Sequence, residues 1–112
     1  MDCPCECIRI GNAAALLSGA AYEVYRAVAE AAHWRQRDIA EKMRPLLAGV
    51  FQQAEDIARL DPSRYDAMEK ISGLIGEMAE GVQKGLPIAL VEGISSRLLE
   101  RCVEASEAIT RC

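Results

Sequence analysis

From Ile88 onward, small and apolar positions recur at alternating steps of three and four: Ile88, Val91, Ser95, Leu98, Cys102, Ala105, Ile109 and Cys112. An average step of about 3.5 is the stripe of an amphipathic helix and suits a bundle seam. The other side carries Glu92, Arg97, Glu100, Arg101, Glu104 and Glu107 and reads as a wet face. Such a helix buries its stripe only against other segments, so the rest of the chain has to supply them.

Three further stripes do so. Leu17, Ala21, Val24, Val28 and Ala31 mark a first helix, with Gly11-Asn12 as its start signal and Asn12 as its N-cap. Small residues at Ala14, Ser18, Ala21 and Ala32 leave room for a neighbouring helix. Ile39, Met43, Leu46, Val50, Ala54 and Ile57 form the second stripe, which crosses Pro45 without a change of phase. This predicts one helix, bent at Pro45 and opened by an Asp38/Glu41 capping box. The alternative boundary continues the first helix to about Arg44 and opens the next at Pro45. Asp61-Pro62, an N-cap with a first-turn proline, starts the third helix. Its stripe is Tyr65, Met68, Ile71, Ile75, Met78 and Val82. Gly73 and Gly76 cost this helix about 1 kcal/mol each relative to alanine. Close packing against the first helix is the expected compensation. Gly85 reads as a C′ residue, and Leu86-Pro87 turns the chain into the last helix.

The expected fold is therefore all-α, a single domain over 1–112. It is a four-helix up-down-up-down bundle with helices near 13–34, 38–60, 62–84 and 87–111. A short cysteine-rich arm, 1–11, precedes it, because Pro4 argues against a helix interior there. Cys7 to Ile10 has the pattern of a brief strand, but no other segment reads as its partner.

Composition agrees with helices. The 112 residues are 51% hydrophobic but only 4% aromatic, so Ala, Leu, Ile and Val do most of the packing. Acidic residues outnumber Lys plus Arg by 17 to 13, for a formal charge of −4, which disfavours nonspecific nucleic-acid binding. The first ten residues lack the basic start and apolar core of a secretory signal, and the run near 11–21 is too short for a membrane span. A cytoplasmic protein, with no membrane or nucleic-acid partner, is the expectation.

Five cysteines change the picture. Cys3, Cys5 and Cys7 form a C-x-C-x-C run, and thiolates are soft donors for zinc, copper(I) or an iron–sulfur cluster. The spacing departs from the C-x-x-C turn of familiar zinc sites. In an extended strand, positions two apart share a face but stand roughly 6–7 Å apart. A tight turn at Pro4, or a further ligand folding over, would be needed. Asp2 and Glu6 would raise neighbouring thiol pKa values, against an activated nucleophile. In an up-down-up-down bundle the arm returns to the end of the last helix, which brings Cys102 or Cys112 within reach. Ten residues of helix separate those two by about 15 Å, so at most one can join the same ion. Disulfides are the other use, and an odd count leaves one thiol over.

Glu30-x-x-His33 has the helical spacing of a carboxylate–imidazole metal pair. The chain has a single histidine, so a di-iron site would need a homodimer, with Glu23, Glu55 or Asp56 as extra ligands. The plainer reading makes His33 a helix-end residue beside Trp34, an interface anchor. Gly73, Gly76 and Gly81 lie inside a helical pattern and do not form a phosphate-binding loop. With one imidazole and no Cys–His or Ser–His pair, a nucleophilic enzyme has the least support.

The leading expectation is a small helical metal- or iron–sulfur-binding module acting as a carrier or partner protein. The alternative is a non-catalytic helical oligomer or regulatory interaction protein using Trp34, Tyr22 and Tyr25. A dimeric carboxylate-bridged iron oxidase or store built on Glu30 and His33 is the third. Self-association into a homo-oligomer suits a chain with long helices and few aromatics.

Overall fold

The computed structural model describes residues 4–30 and 36–109, with side chains from Ile8 to Glu30 and from Asp38 to Ile109. Four helices carry the fold: α1 (Pro4–Glu30), α2 (Gln36–Leu60), α3 (Tyr65–Lys84) and α4 (Ile88–Ile109), with a 3-10 turn at Pro62–Arg64 before α3. Among the described residues there is no strand, so the all-α expectation holds and Cys7 to Ile10 is helical. No described helix is long and apolar enough to cross a membrane.

α1 corrects the expected start. Gly11 and Asn12 lie inside the helix, and Pro4 is its first residue rather than part of a separate arm. Proline is excluded from a helix interior but suits the first turn, where its missing N–H would be unpaired anyway. Downstream, Ile10 packs against the core and Ala13, Ala14 and Leu17 are buried. Tertiary burial on both sides of Gly11-Asn12 overrides a local start signal.

α2 runs through Pro45 as one helix, as its unbroken stripe requires. Pro45 is exposed, so the carbonyl it deprives of a partner lies on a wet side of the helix. Met43, Val50, Ala54 and Ile57 are buried, whereas Leu47 takes the fully buried place expected for Leu46.

The Asp61 carboxylate accepts hydrogen bonds from the Ser63 backbone N–H at 3.1 Å and the Ser63 hydroxyl at 2.6 Å. This is the anticipated cap, but it starts the 3-10 turn rather than α3 itself. Tyr65, expected on the core stripe, is instead exposed at the first position of α3. The buried series begins one turn later, at Met68, and continues in the expected phase through Ile71, Ile75, Met78 and Val82. Arg64 ties the start of α3 to the end of α4: it pairs with Asp61 at 3.4 Å and donates to the Ala108 carbonyl at 3.4 Å.

α3 ends as foreseen. Gly85 takes the left-handed conformation at φ 77°, its N–H donating to the Val82 carbonyl at 3.2 Å and that of Leu86 to Gly81 at 2.9 Å. This pattern is a Schellman motif, and Leu86 folds back over Gly81. The packing role expected of Gly73 and Gly76 is corrected. Both are outward-facing, with nothing within 4 Å of an added Cβ, and buried Gly81 is the glycine against which a neighbour rests.

The helices form a ring of neighbours in which α1 packs on α2 and α4, and α3 packs on the same two. Leu17, Met43, Ile57, Ile71, Met78 and Leu98 are among the largest fully buried side chains, so every helix contributes to one core. Ser95, the buried polar side chain of the core, donates its hydroxyl to the Glu92 carbonyl at 2.8 Å and needs no outside partner. Ile94 joins the α4 stripe beside it, a buried position the three-and-four series passes over.

Candidate functional site

Cys3 and Cys112 lie outside the described residues, as do the side chains of Cys5 and Cys7, although the backbone of those two is the first turn of α1. Cys102 is the thiol whose surroundings the structure describes. It is fully buried on α4, and burial pushes its thiol up from 9.0 to about 12. A metal ligand or redox nucleophile needs the thiolate, which this environment opposes. Cys102 as found is a small core residue.

Glu30 is exposed at the end of α1 and forms an ion pair with Arg26 at 3.4 Å, one helical turn earlier. His33 and Trp34 lie outside the described residues. Of the further ligands considered, Glu23 and Glu55 are exposed. Asp56 accepts from Gln52 at 3.1 Å and from Arg59 at 2.8 Å. Among the described residues no three His, Cys, Asp or Glu side chains converge as a metal site.

What the structure does gather is apolar surface along the two flanks of α2. Phe51 and Leu60 are nine residues apart, about two and a half turns, and so lie on opposite flanks. On the α3 side, Phe51 and Tyr65 are 46% and 59% exposed and line a groove of about 250 Å³ floored by Ala54, Ala58 and Met68. Its charged lining residues are both acidic, Glu55 and Glu69. On the α1 side, exposed Leu16 and Leu60 line a groove of about 490 Å³. Arg9 and Arg59 border this second groove, together with the Asp56 that Arg59 already engages.

Phe51 is the single phenylalanine of a chain with 4% aromatic residues, and it stands out of phase with the α2 stripe. That mismatch was the available signal for an exposed aromatic. Tyr65 carried none, because its spacing from Met68 imitates the stripe. Tyr22, expected at a flank of α1, is exposed, and Tyr25 is half-buried.

A third groove, between α3 and α4, is lined by charges of both signs, with Arg97 pairing to Glu77 at 3.8 Å and Arg101 to Glu104 at 3.4 Å. Mixed and mutually paired charges leave it without a preferred ligand. No family model matches the chain, and no match was found among curated proteins or solved structures.

Proposed function

We propose that this chain is a non-catalytic helical interaction module, built as an up-down-up-down bundle whose α2 flanks meet a protein partner. The topology is supported by cross-helix pairs whose numbers run in opposite senses. Arg64 meets Ala108 and Glu77 meets Arg97 between α3 and α4.

The functional reading is carried by the groove that Phe51 and Tyr65 line. Large aromatic side chains left half in water are the residue types that anchor interfaces, since each offers a large apolar area and few rotamers to lose. Against a thiolate carrier stands the burial of Cys102. That reading, with zinc, copper(I) or a cluster as cargo, rests on the C-x-C-x-C run alone.

A photo-crosslinking residue introduced singly at Phe51, at Tyr65 and at the exposed control Glu92 tests the proposal in cells that produce the full chain. Positions 51 and 65 should each yield a discrete adduct that the control lacks. Absence of an adduct at both groove positions, or the same smear at all three, overturns it.

A further inference from the structure

We infer that the partner is a second copy of this chain, and that the acidic aromatic groove of one copy seats against the basic leucine groove of the other. The inference rests on the interaction reading above and names its partner.

The two grooves are unlike in the way a self-complementary surface requires. One joins Phe51 and Tyr65 to Glu55 and Glu69; the other joins Leu16 and Leu60 to Arg9 and Arg59. Among the described residues, neither the Glu55 nor the Glu69 carboxylate has a hydrogen bond or an ion pair. Asp56 pairs with Arg59 through one oxygen, so the charges of those two cancel and Arg9 leaves the second groove with a net positive charge of one.

The grooves also share one stretch of α2: residues 51–58 border the first and 53–60 the second. They therefore lie at overlapping heights on either side of a single helix. A twofold axis parallel to α2 exchanges left and right while preserving height. It sets each acidic groove opposite a basic one, twice, in a closed dimer. An axis perpendicular to the helix would set like against like, four carboxylates on one side, and is disfavoured by repulsion. Apolar contact between the exposed aromatic and leucine side chains supplies affinity, and the charges select the orientation.

Sedimentation equilibrium of the purified full chain, over a broad concentration range, tests this with three charge variants. Wild type should show a monomer–dimer equilibrium. Glu55→Arg with Glu69→Arg, and separately Arg9→Glu with Arg59→Glu, should each weaken it by about tenfold or more, because each opposes like charges. The fourfold variant carrying both exchanges should recover dimerisation to within about threefold of wild type, because the pairing is restored with its signs reversed. All four sites are exposed or at a groove edge, and circular dichroism on each variant confirms that the helices persist. A chain that is strictly monomeric throughout the range overturns the inference, as does a dimer that both pairs of reversals leave unchanged. A fourfold variant no better than its parents also overturns it. Purified monomer together with a larger heterologous adduct from the crosslinking experiment would defeat the second-copy inference and leave the interaction module standing.

Discussion

The Cβ that Gly81 lacks would stand 2.7 Å from the Leu86 Cδ1 atom, closer than packed carbon atoms approach. Leu86 is the residue that closes the Schellman motif, donating its N–H to the Gly81 carbonyl at 2.9 Å. Backbone and side chain thus meet at one point, and Ile94 of α4 lies 3.9 Å from the same position. Gly81→Val should destabilise the fold by about 1–3 kcal/mol, as overpacking of a filled site does. Chemical denaturation followed by circular dichroism measures it, and an unchanged midpoint would show that Leu86 swings aside without cost.

Gly73 and Gly85 should respond to alanine with opposite signs. Gly73 is exposed within α3 with open space around an added Cβ, so Gly73→Ala should stabilise by about 0.5–1 kcal/mol. Gly85 is left-handed at φ 77°, and Gly85→Ala should cost about 1–2 kcal/mol. Thermal melts of the two variants beside wild type should move in opposite directions.

Cys102 should be inert while the protein is folded. Its buried thiol is raised to about 12, so alkylation at neutral pH should proceed only through opening of the bundle and accelerate in denaturant. The same shift fixes a sign for alkaline stability. An unfolded thiol ionises near 9.0, and the folded one resists until about 12. The stabilisation is therefore complete below 9.0 and is lost as the pH rises toward 12, when the unfolded state releases the proton first. Cys102→Ala should lower stability at neutral pH by about 1 kcal/mol, the scale of removing one buried heavy atom, and should flatten the alkaline loss. A profile as steep in the variant as in wild type would assign that loss to other groups.

Asp61 works at the opposite end of the pH scale. Hydrogen bonds from the Ser63 hydroxyl and backbone N–H, with the nearby Arg64 guanidinium, hold its carboxyl below the ordinary 3.8. A depressed carboxyl stabilises the fold fully above the unfolded value and loses that contribution as the pH falls through the folded one. Asp61→Ala should therefore cost about 1 kcal/mol at neutral pH, typical of a lost cap. The gap from wild type should narrow as the pH is lowered below 3.8, which denaturation midpoints across that range will show.

Local signals along the chain marked the four apolar stripes, the Asp61-Pro62 start and the Gly85 stop, and favoured one helix through Pro45 over a break there. Each depends on residues within a few turns of one another, where helix geometry and capping chemistry act directly. The C-x-C-x-C run was equally legible as a pattern, but whether a thiol can ionise depends on what surrounds it. For Cys102 that surrounding is the packed core. Two other outcomes belonged to the tertiary structure alone: the choice of Gly81 rather than Gly73 as the packing glycine, and the meeting of Phe51 and Tyr65 in one groove. Each was decided by which helix became the neighbour of which. Periodicity states that a face must be covered but not by what, because burial is a property of two surfaces and the pattern along a helix describes only one.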